Sequence, residues 1–381
     1  MSPAPKWLRG ATTTSAQVFA GASTALLPIT MQALAARGIT LDVQATLALS
    51  ISVGAFVSAV VNATVLETRL TSSRSRPLSY VPRWSTIAGL LGCIGILLTI
   101  VNPLGAVIGT PLAMVALSLG RTHGVITHRW RAEGHAGIVM VLGALGALAI
   151  MPIHWQSAVA ALAICTAYTI VVRAAKQPAR SLVGPQPREF VKVGTETAVT
   201  ALVPMVLNIL VFALLTNADA IAFRMVLSVL GILQPLLGFL RTRLLTSRSM
   251  PLTLVLGSAS LIALAAVLIA HMAGLVGFVL GPSWAQVTTP ALVLACLWKV
   301  ASVPATVPFA MLRRDGHLDA LLRLRIVTSI LFLASGCLGI WIGHSLLATF
   351  TGLCLAELLS TVIYFGVAYR VTAPPLSKES P

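Results

Sequence analysis

The sequence predicts an all-α polytopic membrane protein of about twelve transmembrane helices in two six-helix lobes, with both termini cytoplasmic. Three observations carry that expectation. The 381 residues are 57% hydrophobic and only 9% charged, with a mean hydropathy of +0.93, more apolar surface than a soluble globule of this size can bury. Apolar runs of about 17–25 residues recur along the whole chain. Finally, 23 of the 26 Lys and Arg residues fall in alternate connections between those runs, which the positive-inside rule reads as an even number of spans.

In chain order the predicted spans cover residues 12–33, 43–66, 84–102, 104–120, 135–152 and 155–173, then 190–215, 219–240, 251–280, 288–312, 320–342 and 345–369. Lys6 and Arg9 precede a first run ending in Ala33-Leu34-Ala35, a pattern that a signal peptide shares. The charge alternation favours an uncleaved helix. Between spans three and four the segment TIVNPLGAV must make the whole turn around Asn102-Pro103, or the two form one re-entrant unit. External connections are a few residues long (NPLG, PIHW, TNAD, GPSWAQV, IGHS), whereas the longest cytoplasmic one, RAAKQPARSLVGPQPREFVK, holds three prolines. It reads as a linker over residues 174–189, between lobes at 1–173 and 190–370, with a cytoplasmic tail at 371–381.

A short repeat supports two related lobes. ETRLTSSRS from Glu67 and RTRLLTSRS from Arg241 agree at six of nine positions, each after the second span of its half, as an internal duplication requires. Their Arg69, Arg74, Arg243 and Arg248 read chiefly as cytoplasmic contacts to lipid headgroups. The net charge of +16 has the same explanation, so nucleic acid is not an expected partner. The five cysteines lie in apolar runs without metal-type spacing and read as small core hydrophobes, with no metal and no cofactor implied.

Three stretches carry a family resemblance: ADAIAFRMVLSVLGILQPLLGFLRTRLL from Ala218, the passage from Gly274 to Arg325 containing GPSWAQVTTPALVLACLWKVASVPATVPFAMLRRDGHLD, and the closing GCLGIWIGHSLLATFTGLCLAELLSTVIYFGVAYR from Gly336. They resemble polysaccharide and lipid-linked oligosaccharide flippases of the MATE-like exporter superfamily. The resemblance implies a non-enzymatic carrier in a bacterial cytoplasmic membrane. It would move a polyprenyl-diphosphate-linked glycan to the outer leaflet by rocking two lobes around a central cavity, among membrane lipids and beside glycan-synthesis proteins.

Such a cargo needs positive charge inside the membrane, where an Arg or Lys costs about 2.5–3.5 kcal/mol on insertion scales. Lys299 lies roughly 18 Å into the tenth span; it reads equally as a cavity cation or as the partner of Glu357 in span twelve. Arg224, roughly 8 Å into span eight, matches the family's helix-eight arginine. It also suits outer headgroups or Asp219. Gln234-Pro235 should kink that span. Glu196 either begins span seven in solvent, gates with Arg241 or Arg243, or takes a coupling proton. Arg37 and Asp42 bracket the first external turn as a surface pair. The cytoplasmic RTHGVITHRWRAEGH has no metal geometry and reads chiefly as a plain positive-inside loop, with a surface that collects phosphate lipids as the alternative. No ionisable residue is expected to be buried in spans one to six, which leaves Gln17, Gln32 and Asn62 as polar help from that lobe.

Two other functions compete. A cation-coupled MATE-like exporter needs buried carboxylates in its first lobe. A multispan enzyme of glycan assembly needs a larger external loop or an acid beside His154, His271 or His344.

Overall fold

The computed structural model describes residues 6–67, 81–126, 129–174, 187–233, 237 and 250–372. Among these no strand occurs, and the helices are α1 (Lys6–Gly38), α2 (Leu41–Asn62, continued by a π-turn at Ala63–Glu67), α3 (Val81–Leu98), α4 (Leu104–Ile126), α5 (Trp130–Ile150), α6 (Trp155–Ala174) and α7 (Pro187–Leu214). There follow α8 (Asn217–Leu230, with a 3₁₀ turn to Leu233), α9 (Met250–Met272), the short α10 (Leu275–Leu280) leading to a 3₁₀ turn at Pro282–Gln286, α11 (Thr289–Arg314), α12 (Leu318–Gly343) and α13 (Leu346–Thr372).

Nine helices among the described residues are long and apolar enough to cross a membrane. Their outward faces carry rows of exposed apolar side chains such as Leu142, Leu145, Ile330, Leu355 and Val362, as a lipid solvent demands. The chain is therefore a multi-pass membrane protein. Two shorter apolar stretches, Arg83–Leu98 and Gly257–Met272, occupy predicted spans three and nine.

Two boundaries are decided by turns. The segment after α3 is a tight turn, not a re-entrant unit. Asn102 accepts from the Gly105 amide at 2.9 Å through its carbonyl and from the Leu104 amide at 3.0 Å through its side chain. The returning α4 then packs closely on α3, because a Cβ on Gly92 would lie 2.6 Å from the Ala113 nitrogen and one on Gly95 would lie 2.6 Å from the Gly109 Cα. Small residues let backbones meet where no hydrophobic force between helices exists. Predicted span nine, in contrast, does not run to residue 280. It stops at Met272, where Gly274 takes φ 74°, and resumes as the six-residue α10.

The centre of the bundle is α8. Ten of its fourteen residues are buried, on all sides and with Arg224 and Ser228 among them, and a helix covered all round belongs in an interior. It touches α1, α2, α7, α11 and the Pro282–Gln286 turn. Its start is fixed by a reciprocal cap: Asp219 N donates to Thr216 Oγ at 3.1 Å, while Thr216 Oγ donates to Asp219 Oδ2 at 2.7 Å. Helices α3–α6 pack on one another and on α1 and α2, and α11, α12 and α13 pack together. The first two helices also reach the second half of the chain, α2 through α7 and α8, and α1 through α8 and α10.

Candidate functional site

Charged residues inside this bundle fall into four places. The first is the seam where α1 and α2 meet α7 and α8. Gln32 Nε2 donates to Ser228 Oγ at 2.8 Å, and Asn208 Nδ2 donates to Ser52 Oγ at 2.9 Å and to the Ala48 carbonyl at 3.3 Å. Gln32 is 4% exposed and Asn208 fully buried, and the amide oxygen of each, Gln32 Oε1 and Asn208 Oδ1, has no hydrogen-bond partner. Arg224 precedes Ser228 by four residues and so shares its face of α8. Arg224 is 7% exposed, its Nε has no hydrogen-bond partner, and among the described residues it forms no ion pair or hydrogen bond. Asp219, the expected alternative partner, is committed to the helix cap. In hydrocarbon an uncompensated cation beside unfilled acceptors is costly; such a seam is suited to water and to an anionic, hydroxyl-bearing ligand.

The second place brings Lys299 and Glu357 together around one indole. Trp298 Nε1 donates to Glu357 Oε2 at 3.1 Å, and the Lys299 ammonium lies 3.8 Å from the centroid of the same ring, within cation–π range. No direct lysine–carboxylate bridge forms. An aromatic ladder separates this group from Arg224: Phe223 stacks on Phe350 at 5.4 Å, and Phe350 meets Trp298 at 6.5 Å. Phe223 sits about 100° round α8 from Arg224, so the two predicted cations do not converge.

The third place corrects the reading of Glu196. It is not a solvated helix start. At 4% exposure it lies 3.5 Å from Arg325 of α12, and Arg325 in turn stacks over Phe309 at 4.3 Å and Tyr364 at 5.6 Å. Lys192 and Asp319, 2.7 Å apart, form an exposed rim to this cluster.

The fourth overturns the expectation that spans one to six bury no ionisable group. Glu133 and Arg173 are each 1% exposed and 3.2 Å apart. Arg173 also donates to the Leu117 carbonyl at 3.2 Å and the Ala20 carbonyl at 3.3 Å, tying α6 to α4 and α1. Glycines make the room: a Cβ on Gly124 would run into the Glu133 carboxylate, and one on Gly120 would lie 3.0 Å from Arg173 Cβ. The acid stands in the first turn of α5 and the base in the last turn of α6, the ends at which helix dipoles favour those charges. That placement was the available sequence signal. Nearby, Asn62 donates to Ser118 at 2.7 Å and accepts from Thr122 where α2 passes into its π-turn.

Arg37 and Asp42 do not pair with each other. Arg37 donates to the carbonyls of Val279, at 2.9 Å, and Phe278 at the end of α10. Asp42 accepts from Asn217 at 2.8 Å, and Gln44 accepts from Ser283 at 2.8 Å. Gln234, Pro235, Arg69, Arg74, Arg243 and Arg248 lie outside the described residues. Among the described residues no cluster could hold a metal ion.

With this geometry in place, comparison with solved structures is informative about the fold. The chain is similar to a multidrug resistance MATE family transporter of the MOP superfamily in an inward-facing conformation, with a TM-score of 0.57 at 15% identity over 92% of this chain and 96% of that one. A MOP superfamily transporter from Pyrococcus furiosus, described as having a binding pocket of reverse polarity, matches with a TM-score of 0.48 at 14% identity over 95% and 94% of the two chains. A MATE protein in complex with MaL6 gives 0.49 at 14% over 94% and 96%. The fold is thus MATE-like, which defines a class of membrane architecture. No protein-family model and no curated protein matches the chain.

Proposed function

We propose that the chain is a transporter that flips a polyprenyl-diphosphate-linked oligosaccharide, or a related anionic glycolipid, from the inner to the outer leaflet by alternating access. The observation that carries this reading is Arg224, a buried arginine without a counter-charge among the described residues, on the seam between the two halves. A diphosphate supplies the missing negative charge, and the unfilled amide oxygens of Gln32 and Asn208 suit sugar hydroxyls. Lys299 and Glu357, joined through Trp298, form a second charged station whose cation can reach a passing phosphate when the lobes rearrange.

Two lobes, residues 1–173 and 190–370, move against each other in this scheme, with both termini in the cytoplasm of a bacterial cell. Arg69, Arg74, Arg243 and Arg248 face the inner headgroups, and Gln234-Pro235 bends the end of span eight. In this scheme the external side is the one at which Arg37, Asp42 and Gln44 bind the second half.

The fold alone fits a MATE-like cation-coupled exporter equally well. The carboxylates weigh against it. Cationic cargo needs an available buried acid, whereas Glu133 faces Arg173, Glu196 faces Arg325, and Glu357 accepts from Trp298 beside Lys299. Cells producing Arg224→Ala or Lys299→Ala at normal protein levels should lose the surface glycan. Unchanged surface glycan in both removes these residues from the mechanism.

A further inference from the structure

External contacts of both α1 and α2 land on one strap, α10 with the Pro282–Gln286 turn, which spans residues 275–286 between α9 and α11. Gly281 joins its two parts at φ 86° and ψ −171°, and a Cβ there would lie 3.1 Å from Arg37 Nη1. Arg37 caps the strap's carbonyls and Ser283 binds Gln44, so the first half is fastened to it at two points.

The strap's own anchor is Trp284, 3% exposed and packed in the core. Its indole nitrogen donates to His271 Nδ1 at 3.0 Å, and His271 Nε2 lies 3.1 Å from Thr289 Oγ. An indole N–H can only donate, so the imidazole nitrogen opposite it must be unprotonated. Adding a proton there sets two N–H groups against each other and leaves a buried donor unsatisfied.

We propose that His271 is a proton-binding site that unfastens the strap: the neutral ring holds Trp284, and the imidazolium releases it. The ligand is a proton from the predicted external side, where His271 is half-buried and reachable. Histidine is the side chain whose charge changes between about pH 5 and 8. Little else there can take that role. The described side chains of α9, the strap and the first turns of α11 hold no Asp, Glu, Lys or Arg before Lys299. Arg37, across the strap on α1, is bound to carbonyls. Asp219 on α8 is held by Thr216, and Asp42 by Asn217. The inference rests on the alternating-access reading only in treating the strap as an external closure.

Hydrogen exchange of the purified full chain, corrected for intrinsic rates, tests it at the amides of Phe278, Gly281, Trp284 and Val287, which donate within the strap. Between pH 8 and pH 5.5 the wild-type strap should lose roughly tenfold protection or more, while the α3–α4 hairpin holds its own. His271→Gln, whose amide oxygen accepts from the indole at either pH, and Trp284→Phe, which lacks the donor, should both lose the pH response. Unchanged wild-type protection, or a full response in His271→Gln, overturns the proposal. If a variant does not fold, the wild-type comparison decides alone. Because no cargo is present, failure here leaves the flipping reading standing, and failure of flipping leaves the proton response intact.

Discussion

Arg173 and Glu133 meet at 3.2 Å with side-chain exposures of 0% and 2%, in the half of the chain where no buried charge was expected. The contact lacks hydrogen-bond alignment at the carboxylate, so it is an ion pair held by packing. Removing Arg173 takes away the nearest cation from buried Glu133, leaving only the fields of Arg121 and Arg129, and Arg173→Ala should destabilise the protein by up to about 3–5 kcal/mol. Replacing both by apolar residues of similar volume should cost much less. Thermal unfolding in detergent separates the two cases; equal losses in both would show that the charges do not act as a pair.

Gly124→Ala tests the same site sterically. The added Cβ would lie 2.8 Å from Glu133 Cδ, and overpacking costs about 1–3 kcal/mol. A melting temperature equal to that of the parent would place the carboxylate elsewhere.

The strap depends on Gly281. At φ 86°, ψ −171° a non-glycine residue is strained by about 1–3 kcal/mol, and its Cβ crowds Arg37. Gly281→Ala and Arg37→Ala should each raise hydrogen exchange across residues 275–286 at neutral pH. Arg37→Lys should rescue only in part, because one ammonium cannot copy a fork that bonds two adjacent carbonyls. Full rescue by lysine would reduce Arg37 to a simple charge.

Trp298 carries two contacts that can be separated. Trp298→Phe keeps a ring beside Lys299 but removes the N–H bound to Glu357, and an unsatisfied buried acceptor costs about 1–3 kcal/mol. Stability should fall in that variant, and adding Glu357→Gln should recover part of the loss. If the double variant is worse than the sum of the two singles, the indole is not serving the carboxylate.

Nine spans among the described residues and the turn at Asn102-Pro103 were legible because apolar runs and Asn-Pro breakers are local signals. The place of α8 was harder to read: its burial on every side follows from packing against five other elements, which no local signal reveals. Arg224, Lys299 and Glu357 could be singled out because a charge inside an apolar run is expensive. Glu133 and Arg173 escaped notice because they sit at helix ends in a basic stretch, where an acid resembles a solvated loop residue. Nothing local reveals that Gly120 and Gly124 have opened a pocket for them. The same limit applies to Arg37, whose acceptors lie more than 240 residues away, and to Trp284 and His271, whose bond depends on the break after Met272 that the hydropathy pattern passes over.

Cargo charge is the property that Arg224 selects in this scheme, and proteoliposomes test it. Purified protein reconstituted with a fluorescent polyprenyl-diphosphate oligosaccharide should move it between leaflets, Arg224→Ala should not, and a lipophilic cationic dye should stay where it was placed. Transport of the dye by both proteins, with the glycolipid left in its original leaflet, would contradict it.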